Sequence, residues 1–593
     1  MWQAEVSTLL LLLSVPSWTI TLQETLQRSH NEHHFETILL LQHRNQLPCD
    51  GMEQMAAAAT WPTLRLNNEA NYYLRSSQST EMLALICLDQ SQQINTETWQ
   101  ALATNLNNMR HVRVLVLLEE VKARALQQIQ NELTEITQQL GFPHVVLLLS
   151  TGSAYQLQPY AKQPWLRIQP NSSRPIFSNL DNYHRLVART LPDQMRARSL
   201  VYKDKKTGQL KFTGFVARLI TEFATKHNIT LQMEREVETG EKFPLVVLRN
   251  MTLNGTLNLP MTLCGYEVST ELGIFSYPFD MPSWFIMVPC AREIPRAQVY
   301  LLLWNWKVLT LMLISYIVFT LLDATVSCVL MGKKLAWNTL LFNERMISGI
   351  LGQGAFNRSN YTTSFRVVQA QLFIVGVLIS TLIAAHLKTL LTKLPTEKPI
   401  TNFQELQNSH LQVYFEQTES FYLRAAMQNS QLQYIATQVE YLPADEFFSR
   451  RNNLSQLSAF SMTSAEWNII KRQQELFHQP LKCFHYDLIF RLNLLMSVPL
   501  EANSIFARPL ETFMHRIHSA GLMKYWRDES IKDLISLGQI DLKDPYHYEP
   551  FREFKVNDLF WVWLIIPLGL LFSSLAFICE LLSFRIKVMF TWT

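Results

Sequence analysis

The sequence predicts exported α/β domains joined to α-helical membrane spans, and three observations carry that expectation. Residues 299–322, 367–387 and 559–578 are apolar over about the 20 residues a helix needs to cross a bilayer of about 30 Å. The blocks outside them alternate apolar runs with helix-period stretches, the rhythm of strands and helices in a mixed fold. Near the start, residues 9–13 with Val15 just beyond form an apolar run of signal-segment length, too short to span.

Composition agrees with this division. A chain of 593 residues holds about four domains at roughly 150 residues each. At 48% hydrophobic and 17% charged, against an ordinary charged share of about 25%, it is too apolar to be disordered. Its 52 Lys plus Arg nearly balance 49 Asp plus Glu, so no global field draws it to nucleic acid.

Residues 1–20 read as a cleaved signal segment, followed by a domain over 21–195. Within that domain the apolar runs 82–88 and 112–118 read as strands and 122–140 as a helix. From residue 200 the string VYKDKKTGQLKF reads as a charged hairpin. An amphipathic helix starts after Gly214, with Phe215, Leu219, Ile220 and Phe223 at helical spacing.

Of the three apolar stretches, the first contains Lys307, near enough to its outer end to snorkel. The second and third contain no Asp, Glu, Lys or Arg. Residues 335–356 are apolar but broken by Asn343, Glu344 and Arg345 and closed by Gly352, Gln353 and Gly354. They suit a re-entrant loop better than a span, and non-helical backbone at that depth implies a watery pathway.

Lys333 and Lys334 after the first stretch, and Arg585 and Lys587 after the third, place both ends in the cytoplasm. Residues up to 298 and 394–557 then lie outside the cell, and 580–593 form a cytoplasmic tail. Sequons at Asn171, Asn228, Asn250, Asn254 and Asn453 fall in those outer blocks, which makes them glycosylation candidates. Asn357 and Asn360 also sit in sequons and are expected to stay bare on the inner side. Among seven Cys, Cys49 with Cys87 and Cys264 with Cys290 are candidate disulfides for an oxidising exterior, with the pairing left open.

The outer block after the second stretch opens with PITNFQEL and continues as LQVYFEQTESFYLRAAM, a strand, a polar turn and a helix. Thr418 and Ser420 stand where that helix would begin, so their hydroxyls and nearby backbone N–H groups are candidates for holding a polar ligand.

The order of parts resembles the ionotropic glutamate receptor superfamily. LIAAHLKTLLT, residues 382–392, is similar to that family's SYTANLAAFLT gate motif and keeps Ala385, Leu387, Leu391 and Thr392, with His386 between. PITNFQEL matches the family's Pro-Ile, four variable residues, an acid and Leu, here Pro399, Ile400, Glu405 and Leu406. FSYPF at 275–279, the Gly352-Gln353-Gly354 string and AGLMKYW with Gly521 and Trp526 resemble further family strings in the family's order.

What the resemblance implies is a bilobed clamshell ligand-binding domain from 196–298 and 394–557, above a channel of three spans and a re-entrant pore loop. Four subunits would surround the pore. Gly352, Gln353 and Gly354 would line it, and Ala385, His386 and Leu387 would form the gate. The pore string carries no acid, which points to weak discrimination among monovalent cations.

The family's ligand-clamping Arg falls at Ser269, its ligand-pairing acid at Thr463, and the Thr of its second half-domain at Thr418. Without that Arg and acid a zwitterionic amino acid would bury two poorly paired charges. Glutamate is therefore not the expected ligand, and an uncharged polar or hydrophobic small molecule suits Ser269, Thr418 and Thr463 better.

These departures are similar to those of the divergent chemosensory receptors of insects, used in taste and smell. The resemblance implies a plasma-membrane location in sensory neurons and co-receptor subunits of the same family as partners. It also allows an auxiliary subunit that sets specificity without conducting alone. The family's remaining disulfide partner is missing between Arg527 and Asp558, which leaves Cys483 without an expected bridge. An enzyme is not expected. HNEHH at 30–34 and GILGQG at 349–354 lack HExxH spacing, a Walker Lys or a nucleophile elbow, and no cofactor is called for.

Overall fold

The computed structural model describes residues 17–46, 49, 52, 61–88, 91–118, 123–169, 174–204, 207–265, 273–295, 298–299, 302, 306–332, 342–353, 363–392, 394–420, 423, 431–545 and 555–591. The chain divides into two compact units, one of 1–287, 410–480 and 484–544, the other of 288–409, 481–483 and 545–593.

The first unit opens with a seven-stranded sheet. Its strands are β1 (Thr37–Gln42), β2 (Thr63–Asn67), β3 (Met82–Leu88), β4 (Arg113–Leu118), β5 (Val145–Leu149), β6 (Ala154–Leu157) and β7 (Trp165–Ile168), in the order β2-β1-β3-β4-β5-β6-β7. The ladder is parallel from β2 to β5 and antiparallel beyond. Parallel strands are covered on both faces, which is why β3 reads MLALICL with every residue buried. Alternate residues serve opposite layers. Leu39, Ala84, Ile86, Val114 and Leu147 pack with Trp99 and Leu102 of helix Gln92–Asn105 and Leu133 of helix Ala123–Leu140. Leu40, Leu83, Leu85, Leu115 and Val146 pack with Leu22 and Leu26 of helix Ser17–Glu32. That helix runs across the expected signal boundary at 20, and residues 1–16 lie outside the described residues. Cys49 and Cys87 are joined as a disulfide.

Strand Leu186–Thr190 pairs in parallel with Ile229–Met233. It precedes the expected boundary at 195, and its mixed burial, with only Ala188 and Thr190 inward, hides it from an apolar-run search. The charged hairpin forms as Leu200–Lys203 against Leu210–Thr213. Helix Phe215–Lys226 follows and buries Phe215, Leu219, Ile220 and Phe223 as its spacing predicts. Phe279, fully buried, stacks on Phe215 with ring centroids 6.2 Å apart.

In the same unit, strands Val439–Leu442, Gln412–Glu416 and Ser458–Thr463 lie side by side, and residues 284–287 of strand Trp284–Pro289 pair with the last of them. Helices Ala507–Ser519 and Leu522–Ser536 close the unit, joined through Gly521 in the left-handed region at φ +69°. Asn228, Asn250, Asn254 and Asn453 are all exposed, whereas Asn171, Asn357 and Asn360 lie outside the described residues.

The second unit holds three helices long and apolar enough to cross a membrane, Trp306–Met331, Thr363–Thr392 and Phe560–Thr591. Residues 299 and 302 are helical as well, and the first of these helices runs past the expected end at 322, through Asp323. Large apolar side chains such as Trp563, Ile565 and Leu570 stay half exposed, a surface that water does not tolerate over such an area. Cys290 bonds Cys483 in this unit, where Val288 and Pro289 pair with Cys483 and Lys482. The expected Cys264–Cys290 bridge is thus replaced, because strand pairing brings Cys483 beside Cys290. Cys264 is a buried free thiol, pushed up to about 12 by burial.

Candidate functional site

A cavity in the first unit is walled by residues from two stretches of sequence that flank the first two apolar helices. Arg196, Arg198, Phe215, Leu263, Asp280 and Trp284 come from the earlier stretch, and Glu416, Thr418, Glu419, Arg451, Thr463, Glu466 and Met496 from the later one.

Buried Asp193 sets the earlier wall. Its carboxylate accepts from Ser199 Oγ at 2.7 Å, Thr262 Oγ1 at 2.9 Å and Met195 N at 2.9 Å, and pairs with Arg198 Nε at 3.2 Å. Helix Phe215–Lys226 begins against the same segment, since Phe215 N donates to Ala197 O and Val216 N to Arg198 O. Gly214, at φ +114°, permits this approach because a Cβ there would collide with the Arg198 carbonyl. The helix's first N–H groups are consumed by these bonds, and the backbone carrying Arg196 and Arg198 is fixed.

The later wall is built from strand ends. Gln417–Glu419 forms a single 3-10 turn after strand Gln412–Glu416, closed by a reciprocal capping box between Glu416 and Glu419. Thr463 ends strand Ser458–Thr463 and caps helix Ser464–Gln474, accepting from Glu466 N at 3.4 Å. Arg451, near the end of helix Ala444–Asn452, grips Glu466 with two bonds of 2.9 and 3.2 Å. This fork-to-fork pairing is the strong form of the interaction.

Charge in this cavity is distributed unevenly. Burial pushes the Glu419 carboxyl up to about 8, with Glu416 adding repulsion and Ser461 Oγ, donating at 2.6 Å, opposing it. The residue as a whole keeps some exposure, but its carboxyl end is enclosed, and that end decides the shift. Glu416 is likewise raised by burial, against the Thr418 hydroxyl that donates to it at 2.9 Å. Burial also acts upward on Glu466, but Arg451 outweighs it and the group lies below its ordinary value. Arg196, lowered by burial, has no hydrogen-bond partner among the described residues, whereas Arg198 and Arg451 are each held by a carboxylate.

Charge in this cavity comes from residues other than the two positions, Ser269 and Thr463, at which the expectation placed the missing Arg and acid. Thr463 and Thr418 both line the cavity, and both hydroxyls already serve protein groups, as does Ser420, which donates to Gln417 O at 2.7 Å. Ser269 lies outside the described residues. Charge enters through positions the family comparison does not inspect: Arg196, Arg451, Glu416, Glu419 and Glu466. One signal was legible, the Thr-x-x-Glu spacing of Thr463 and Glu466 at a helix start.

In the second unit, Glu344–Ile350 forms a short helix whose Met346 and Ile350 pack with Phe319, Leu372 and Ile379 of the two long helices. Gly352 follows at φ +72°, and Gln353 N donates back to Ser348 O at 2.9 Å. Gly354 and residues 335–341 lie outside the described residues. Ala385 and His386 are exposed on helix Thr363–Thr392, and Leu387 is partly buried.

The segments leading into the first long helix and out of the second are tied together, Ile294 N to Pro395 O and Glu397 N to Arg292 O, both 2.9 Å. The PITNFQEL motif has a local purpose as well. Asn402 caps helix Phe403–Asn408 by accepting from Glu405 N, and the Glu405 carboxylate accepts from Thr401 N and Oγ1. With Lys398 beside it, Glu405 is held at about 2. No family model and no curated protein matches the chain.

Proposed function

We propose that this chain is a subunit of a ligand-gated cation channel of the chemosensory kind, for which the resemblance to ionotropic receptors supplies the frame. The observation that carries the reading is the shared cavity. Two stretches separated by two apolar helices join in one unit to wall it, the arrangement a ligand needs if its binding is to act on the connected helices.

In this reading the walls are the two lobes of a clamshell outside the cell, and closure pulls on the linkers at 292–294 and 395–397. The helices cross the plasma membrane, four subunits surround the pore, and the 343–353 segment is its re-entrant loop. Closure opens the pore only to the extent that ligand binds the closed clamshell more tightly. The ligand is a small molecule with an apolar body, placed against Phe215, Leu263 and Trp284, and an acceptor group for Arg196. Glutamate fits poorly, because Arg198 and Arg451 are already bound to carboxylates of the protein itself.

The test is whole-cell recording from cells expressing the chain alone and with co-receptor subunits, during application of taste and odour compounds. Evoked cation currents whose permeation changes on joint substitution of Gln353 and Gly354 support the reading. Absence of current in every combination, with the chain at the surface, moves it to a non-conducting subunit.

A further inference from the structure

A carboxylate in the interior of an apolar helix is costly, so Asp323 in helix Trp306–Met331 calls for a reason. Its Oδ2 accepts from Asn343 Nδ2 at 2.9 Å. Asn343 is the residue at the start of helix Glu344–Ile350, and its backbone N donates to Tyr316 Oη at 3.0 Å. Tyr316 and Asp323 lie seven positions apart on one helix, two turns, and so share a face. Asn343 makes no side-chain cap for its own helix. Asn is among the best N-cap residues, and here its side chain is turned to Asp323 instead.

The same short helix is wedged on its other side. A Cβ at Gly349 would overlap Leu372, and one at Gly376 would overlap the Gly349 carbonyl, so backbone meets backbone there. Met346 is fully buried between the long helices. From this wedge the chain turns at Gly352 to Gln353, where the pore tip is expected. The close packing at Gly349 and Gly376 holds the middle of the short helix, and the two bonds of Asn343, to Asp323 and to Tyr316, hold its start.

We propose that Asp323, Asn343 and Tyr316 form an anchor that fixes the height of the Gly352–Gln353 tip and thereby sets ion discrimination. Asp323 and Asn343 act as positioning residues and touch no ion themselves. The inference rests on the channel reading above, and the experiment separates the two.

The full chain, expressed with whichever partner supports current, is compared as parent, Asp323→Ala, Asp323→Asn, Asn343→Asp and the exchanged pair Asp323→Asn with Asn343→Asp. Asn at 323 still offers an oxygen to Asn343, and the exchanged pair restores a donor facing an acceptor, whereas Asn343→Asp alone sets two carboxylates together. Reversal potentials in mixed cation solutions are expected to shift for Asp323→Ala and Asn343→Asp and to stay at the parent value for Asp323→Asn and the exchanged pair.

A second readout needs no current. With Cys328 and Cys579 replaced by Ser, Met346→Cys should resist a water-soluble thiol reagent in the anchored chain. Loss of a hydrogen bond to a charged group should raise its labelling about tenfold or more in Asp323→Ala, and the exchanged pair should restore protection. Unchanged labelling in Asp323→Ala overturns the anchor. Changed labelling with unchanged relative permeability reduces it to a fold contact and also overturns the proposal. No current from the parent in any combination counts against the channel reading and leaves the labelling to judge whether the anchor exists.

Discussion

The seven-stranded sheet and the cavity walls belong to one unit, yet they are built from opposite materials. Strands β3, β4 and β5 bury Leu, Ile, Val and Ala on both faces. The cavity walls instead enclose Arg198 with Asp193 and Arg451 with Glu466, and leave Glu416 and Glu419 side by side. Replacing such pairs by apolar residues is often neutral or stabilising, so stability alone does not explain them. The difference separates an apolar scaffold from a charged cavity, the place where the proposed ligand would bind.

The largest expected effect comes from breaking a buried pair. Arg451→Ala leaves Glu466 without its fork and should cost about 3–5 kcal/mol by denaturant unfolding, while Arg451→Leu with Glu466→Leu should recover most of it. An equal cost for the double variant would show that the pair stabilises the fold outright. Leu85→Ala, in the middle of β3, should cost about 2–5 kcal/mol and leave ligand potency unchanged.

The two regions should also respond to pH in opposite directions. His144, beside β5, is driven to about 4 by burial and by Arg113, so its folded form binds fewer protons than the unfolded chain. Its contribution is present above about 6.5 and is lost as pH falls toward 4. Glu419 is raised to about 8, so its folded form keeps a proton that the unfolded chain releases above about 4.3. Stability from that source declines as pH rises from about 4.3 to 8. Hydrogen-exchange protection, measured relative to the intrinsic rate at each pH, should therefore fall with acid in β4 and β5 and with alkali in strand Gln412–Glu416. His144→Asn and Glu419→Gln should flatten their own limbs only.

The smallest effect sharpens the contrast from outside. Arg472 pairs with Glu475 at 3.3 Å on the exposed side of helix Ser464–Gln474. Arg472→Ala should change stability by less than about 1 kcal/mol, and a larger loss would mean that exposure does not divide the two kinds of ion pair.

The sheet was legible in sequence because an apolar run buried on two faces has one outcome, as 82–88 and 112–118 show. Helix Phe215–Lys226 was legible through its spacing, and the three apolar helices through length. Strand Leu186–Thr190 was not, since it buries only alternate residues over a single turn of pattern. The cavity was legible only at Thr418 and Thr463. Arg196, Arg451, Glu416 and Glu466 carry no local signature, because what makes them a site is the meeting of strand ends far apart in the chain. The Cys290–Cys483 bond was hidden for the same reason, since strand pairing rather than spacing brings the two together.

The central claim is that the cavity and the 343–353 loop serve one ligand-gated channel, and a crossed dose-response measurement addresses it most directly. Arg196→Ala and a Gln353 substitution would each be recorded against ligand concentration and against cation composition. The account predicts that Arg196→Ala shifts the ligand concentration for half-maximal current and leaves relative permeability at the parent value, while the Gln353 change does the reverse. A Gln353 change without effect on permeability, or an Arg196 change without effect on potency, would contradict it.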